Sequence, residues 1–337
     1  MVLSAKNGAQ VYTIITHLRY LFLMPYTVGI IGAARRHQGT GPFIARNLTQ
    51  SGHRIAGIIG TSEQSIIEAR NHLQQNYAID TQAYTSFDQL VSEHQLDIIV
   101  ISSPADTHFD YLLPALSNGC HVFCEKPLWW PQAGTMELTQ HEYENKIDKI
   151  LNLARDKQCY IHLNTQWPYT LKDFIRLHPN ALADKQITQF AMHLSPQSSG
   201  ASMLVDAASH GLSMLYHLVG EGNLANIQLQ QNNGNAIINF DYQHRAGNTS
   251  TTLGFIQSNE TPKPASYQIN GFAVKRNVIL PEYQIQLQSD QQTITIQDPL
   301  DASIEDFLAS INAQLATDEI ALKQGALHLY QLIEHFK

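Results

Sequence analysis

Two regimes of hydrophobic patterning divide the chain. Between residues 26 and 163, short apolar runs alternate with longer stretches of helical period. Strands are expected at 26–32, 54–60, 97–102, 121–124 and 159–163, and helices at 41–50, 62–76, 107–118 and 142–157. The run DIIVIS at 97–102 has no polar alternation, as a strand buried on both faces requires. Strands and helices taking turns across short connections imply βαβ units and a parallel sheet.

After residue 164 the period changes. One helix, 203–218, precedes strand-like runs at 226–231, 236–242, 249–256, 266–272, 284–288 and 293–297. Segments such as YQIQLQ and TITIQ alternate apolar with polar residues, the mark of a sheet with one face buried and one wet. Two helices, 304–316 and 318–336, close the chain. The expected units are therefore an extension at 1–23, an α/β domain at 24–164, and an α+β domain at 165–337.

The extension carries an apolar stretch, VYTIITHLRYLFL, that His17 and Arg19 interrupt. It is too short and polar to span a bilayer and lacks a small-residue cleavage site. Met24 stands directly before the first strand-like run, so the folded part is expected to start there. The segment before it is read as either a mis-called start or a peripheral helix.

Composition narrows the function classes. With 43% hydrophobic and 15% charged residues the chain is globular rather than disordered. A formal net charge of −8 argues against a nucleic-acid or anionic-membrane binder, which needs a basic face. Three cysteines make no disulfide framework and suit a reducing cytoplasm, where the protein is placed. Cys120 and Cys124 flank the apolar pair Val122-Phe123 and read as buried strand positions, so no metal site is expected.

Five segments carry candidate chemistry. After the first strand, Gly32-Ala33-Ala34-Arg35-Arg36 leads through Gly39-Thr40-Gly41 into a helix. A glycine-rich turn at a helix N-terminus lets backbone N–H groups approach a pyrophosphate, as in a Rossmann dinucleotide site. The turn is four residues longer than the usual G-x-G-x-x-G spacing. After the second strand, Gly60-Thr61-Ser62 stands where an acidic residue would hold the ribose of NAD. Hydroxyls there, with Arg35 or Arg36, suit a 2′-phosphate and favour NADP, NAD being the alternative; the competing reading leaves both arginines as solvated loop residues. Ser103, Pro104 and His108 follow the buried strand at 97–102 and lie where a cofactor sits beyond the strand ends, although His108 alone reads as a helix-start histidine. Glu125-Lys126-Pro127 puts a charged pair at the mouth of a buried strand, either a simple ion pair or a tuned donor to a substrate oxygen. Asp206 and His210 are four apart in a helical stretch and share a face, where a carboxylate can set the imidazole tautomer.

Together these residues resemble the Gfo/Idh/MocA family of oxidoreductases, from about Met24 to the C-terminus. The most specific part is Glu125-Lys126-Pro127 combined with Gly200…Asp206…His210. By that resemblance Lys126 matches the catalytic lysine, Asp206 and His210 match the acid–histidine pair at the substrate oxygen, and Pro104 and His108 match the proline and histidine after the fourth strand. The implied fold is a Rossmann dinucleotide-binding domain followed by an α+β domain with a large open mixed sheet, which commonly makes a homo-oligomer interface. The implied chemistry is hydride transfer between NAD(P) and a carbinol or carbonyl carbon of a sugar, polyol or cyclitol-like substrate. His210 is expected to move the proton and to titrate near neutrality, Lys126 to stabilise the alkoxide, and Asp206 to orient His210. The longer first turn, the lone Gly200 and Ser213 in place of a second aspartate depart from the family pattern. Two other readings are an NAD-dependent glycoside hydrolase of the same family and a catalytically silent dinucleotide-binding regulator.

Overall fold

The computed structural model describes residues 25–33, 39–132, 138–182 and 186–336. The expected extension, and Ala34, Arg35 and Arg36, lie outside these. Among the described residues, the first sheet takes the order β3-β2-β1-β4-β5-β6, all parallel. Its strands are β1 (Thr27–Ile31), β2 (Arg54–Ile59), β3 (Gln82–Tyr84), β4 (Ile98–Ile101), β5 (His121–Glu125) and β6 (Ile161–Asn164). Every residue of β4 is buried, which explains its unbroken apolar sequence. This is the doubly wound order of a dinucleotide-binding sheet, with its switch point between β1 and β4.

Helices cover both faces. On one lie α1 (Gly41–Gln50) and α2 (Glu63–Tyr77), packed on Val28, Ile30, Ile58 and Val100. On the other lie α3 (Phe87–Glu93), α4 (His108–Ser117) and α5 (Gln140–Asp156), packed on Ile31, Ile99 and Val122. Cys120 and Cys124 are buried, and their thiols donate to the carbonyls of Leu96 and Glu125.

The second sheet takes the order β14-β13-β12-β11-β7-β10-β9-β8. Its strands are β7 (Gln189–Leu194), β8 (Gly222–Asn232), β9 (Asn235–His244), β10 (Gly247–Phe255), β11 (Ala265–Ile269), β12 (Phe272–Ile279), β13 (Gln284–Gln288) and β14 (Thr293–Thr295). Only β7 and β10 pair in parallel; the other pairs are antiparallel, so the sheet is mixed. Alternate residues of β9 and β11 are buried, as their period of two requires. Between β6 and β7 lies the short α6 (Leu171–Leu177); α7 (Ser202–Val219) packs on the sheet through Ala207, Ala208 and Leu212.

Three expectations need correction. The strand expected at 266–272 is β11 plus the turn into β12: Asn270 and Gly271 have φ of 49° and 85°, the Asn-Gly pair of a two-residue hairpin. The helix expected at 304–316 is α8 (Pro299–Asn312), because Asp298 accepts from Leu300 N and Pro299 takes the first turn. The boundary after 164 separates the two sheets but not their helices. Leu300, Ile304 and Phe307 of α8 pack against Val28, Ile44 and Phe123 of the first unit. The last helix, α9 (Glu319–Glu334), touches both cores, Leu322 and Tyr330 on one side and Leu329 and Ile333 on the other. No helix among the described residues is long and apolar enough to cross a membrane.

Candidate active site

The carboxyl ends of β1, β4, β5 and β6 converge on one crevice. Gly32, with φ of 86°, ends β1; a Cβ there would stand 2.6 Å from Ser103 N. Gly41 opens α1, and a Cβ there would meet Ser102 Oγ at 2.8 Å. Both positions need glycine because the backbone at each comes close against the end of β4. Ala33 is buried beneath it, and Gly39 and Thr40 are half-buried. Thr40 does not cap its helix; its hydroxyl donates to Glu125 Oε1 at 2.6 Å. Thr40 gives the first turn of α1 no side-chain cap and the turn has no acidic residue; Pro42 has no N–H, so the N–H groups of Gly41 and Phe43 are the ones this end offers an anion. These residues fit a dinucleotide pyrophosphate.

At the end of β2, Gly60 packs on Ile66 and Thr61 is exposed. Ser62 is committed to capping α2, accepting from Ser65 N. Glu63, exposed in the first turn of α2, supplies the carboxylate that the sequence reading did not place in this neighbourhood.

His108 departs from the cofactor contact expected of it. Its ring is wholly buried, with Nδ1 2.9 Å from Pro127 O and Nε2 2.9 Å from Ser103 O. Burial lowers its pKa while the two carbonyls and Glu125 oppose that, and the ring is a strut that spaces the β4 and β5 loops. Ser103 bonds Thr107 Oγ1 at 2.6 Å, and Pro104 is exposed at the crevice rim.

Glu125 joins three strand ends: besides Thr40, its Oε1 accepts from Asn164 Nδ2 at 2.7 Å. Lys126 reaches from β5 to α7. Its Nζ donates to Asp206 O and lies 3.5 Å from Asp206 Oδ1. Asp206 Oδ2 accepts from Gln197 N at 3.1 Å and Ser198 Oγ at 3.2 Å. Burial pushes the Asp206 carboxyl up, but Lys126 and these donors outweigh it and hold it below its ordinary value.

The structure brings Lys126, Asp206 and His210 together but overturns the expected pairing within the set. Asp206 does not hold His210. His210 Nδ1 instead meets Thr165 O at 2.7 Å. A carbonyl only accepts, so Nδ1 carries the hydrogen and Nε2 presents a lone pair. Burial, and after it the Lys126 charge, push His210 down to about 3, not near neutrality. Ser213 donates back to His210 O at 2.9 Å within the helix.

Thr165 and its neighbours were not legible as site residues. Trp167 N also donates to Thr165 O, at 2.7 Å, across Gln166 at φ 61° and ψ −51°. That is a γ-turn of the strained, positive-φ kind, here presenting the carbonyl that fixes the histidine tautomer. Tyr169 donates to Asp306 Oδ2 at 2.8 Å; burial and Asp306 raise its pKa and keep it a phenol.

Residues 26–155 match the family model described as an oxidoreductase family with an NAD-binding Rossmann fold, Gfo/Idh/MocA. The inositol 2-dehydrogenase of Salmonella typhimurium is 24% identical over 128 residues, 37% of this chain and 38% of that protein. That of Corynebacterium glutamicum is 30% identical over 122 residues, 36% of this chain and 34% of its own length. The chain thus spans little more than a third of the curated relatives it matches. Two solved structures share its fold over nearly the whole length at 15% identity and a TM-score of 0.66. They are myo-inositol 2-dehydrogenase from Lactobacillus plantarum, and scyllo-inositol dehydrogenase from Lactobacillus casei with bound NAD(H) and scyllo-inositol; each match covers 93% of this chain and 98% of the other. Residues 26–155 are thus similar to the Gfo/Idh/MocA oxidoreductase family in sequence, and the chain shares the fold of these two dehydrogenases over nearly its full length.

Proposed function

We propose that the protein is an NAD(P)-dependent dehydrogenase or reductase acting on a CH–OH carbon of a small polyhydroxylated substrate, a sugar, polyol or cyclitol. The observation that carries this reading is a neutral His210 with a free Nε2 on the same helix face as the carboxylate that holds Lys126. When bound, the dinucleotide supplies the hydride acceptor or donor. The turn at Gly32–Gly41, Ser103 and Pro104 hold it at the crevice, with Glu125 bracing the turn through Thr40. In oxidation His210 Nε2 takes the hydroxyl proton while the Lys126 ammonium stabilises the oxygen's developing negative charge. In reduction the same proton returns to the oxygen. Asp206 positions the lysine, and Thr165 the histidine. Residues 24–164 thus form the cofactor unit and 165–337 the substrate unit, save for the helices that return.

Cofactor choice rests on opposing features. Thr61 and the two arginines at 35 and 36 favour NADP, whereas Ser62 is occupied as a cap and Glu63 brings a repelling carboxylate. The NAD(H) bound in the Lactobacillus casei scyllo-inositol dehydrogenase supports NAD as the alternative. Titration with both dinucleotides distinguishes the two. The uncovered face of the second sheet, where the His193 ring lies over Gly254, suits a homo-oligomer interface in a cytoplasmic enzyme. The deciding experiment is Lys126→Met on a substrate found by screening polyols. Loss of the charged donor is expected to cost about 3 kcal/mol or more in the transition state while dinucleotide binding persists. Near-normal turnover would remove the lysine from the mechanism.

A further inference from the structure

A guanidinium that forms no ion pair among the described residues borders the set of Lys126, Asp206 and His210. Arg276 extends from β12 and lies with its Cζ 5.4 Å from the centre of the Trp167 ring. Trp167 shares the Thr165 acceptor with His210, which puts this stack beside the catalytic imidazole. On its other side Arg276 Nη2 donates to Lys263 O at 3.1 Å, and Lys263 Nζ donates to Ser258 O. That loop is tied to Asp206, since Gln257 Nε2 donates to Ser198 O at 2.6 Å and Ser198 Oγ to Asp206 Oδ2. Arg276 is thus fixed between the loop that presents His210 and the loop that braces Asp206.

Its hydrogen bonding is incomplete. Arg276 Nε is buried and has no partner, and among the described residues no carboxylate forms an ion pair with it. Tyr283 and Asp298 face it only at longer range. A desolvated guanidinium with neither counter-ion nor full donor use is costly unless an anion completes it. The flat fork and the aromatic backing suit a planar carboxylate or a phosphate.

We propose that Arg276 receives an anionic substituent of the substrate, so that the polyhydroxylated compound oxidised or reduced here carries a carboxylate or a phosphate. This rests on the hydride-transfer reading above and narrows its substrate class from neutral polyols to acidic ones.

The test uses the full chain with each dinucleotide and matched probes: glucose against glucuronate and glucose 6-phosphate, and myo-inositol against its monophosphate. Turnover is followed by cofactor absorbance and binding by calorimetry. The carboxylate and phosphate arms identify which anion is held. An anionic member is expected to exceed its neutral partner about tenfold or more in kcat/KM or affinity, as a charge-assisted bidentate contact implies. In Arg276→Gln that ratio should collapse toward one, and Arg276→Lys should restore part of it, with melting temperatures showing that both variants fold. Neutral probes favoured or equal in the unaltered protein, no anionic probe bound, or a ratio unmoved by Arg276→Gln would each overturn the proposal. So would weakened dinucleotide binding as the main effect, which would assign Arg276 to the cofactor. Arginine-dependent binding of an anionic probe without any redox change keeps the anion site and removes the dehydrogenase reading instead.

Discussion

A histidine that is neutral at every ordinary pH gives an unusual rate profile. His210 is pushed down to about 3, so its Nε2 is available as a base far below neutrality. In the oxidative direction kcat/KM is expected to show no acid limb from this residue between pH 8 and about 5. Measuring the profile for the unaltered chain and for His210→Asn checks this. A limb centred near 6.5 that vanishes in the variant would show that the imidazole titrates in the ordinary way. Helical spacing put Asp206 and His210 on one face, and only the family resemblance added Lys126 to them. It did not tell which neighbour each one takes. Asp206 holds a lysine 80 positions away, and His210 holds a main-chain carbonyl that has no residue signature at all. Arg276 was silent for the same reason, since its meaning comes from Trp167 and from partners it lacks.

Elements were read well where the period was long and poorly where a short strand follows a loop. Five strands of the first sheet and its four longer helices were legible because βαβ alternation repeats, whereas the short β3 and α3 between them were missed. β7, the centre of the second sheet, was missed: its six residues QFAMHL alternate but stand alone between loops. β12 was missed although Asn270-Gly271 signals the hairpin before it. The return of α8 to the first sheet was not legible either, since an apolar stripe does not name the face it covers. That return has an energetic consequence. Phe307 is fully buried on α8, with ring centroids 5.6 Å from Phe123, 5.9 Å from His162 and 6.2 Å from Tyr160. Phe307→Ala is expected to cost about 3–5 kcal/mol. Urea unfolding measures it. A loss under about 1 kcal/mol would mean that α8 is peripheral and that the first unit ends near residue 164 after all.

Over the whole molecule, buried histidines set how stability answers to acid. Burial pushes His162 and His328 down to about 4 and His210 to about 3. Each is neutral in the folded chain, while in the unfolded chain it returns toward its ordinary 6.5. Between about 4 and 6.5 the unfolded state therefore binds more protons than the folded one, and stability falls as pH falls through that window. The depressed carboxyls act lower: Asp206 and Asp241 lie under 3.8, and Glu142 and Glu319 under 4.5. Their contribution is lost only below those values, so loss between pH 6.5 and 5 belongs to the histidines. Each such proton adds a slope of up to about 1.4 kcal/mol per pH unit. Urea midpoints are expected to be level above pH 7 and to decline steadily from 6.5 to 5. His328→Gln, which removes one buried imidazole that packs edge-on to Tyr242, should make the decline shallower even if it lowers the plateau. Stability that stays level from pH 7 to 5, or a slope unaltered in that variant, would show that these rings keep their ordinary protonation inside the fold.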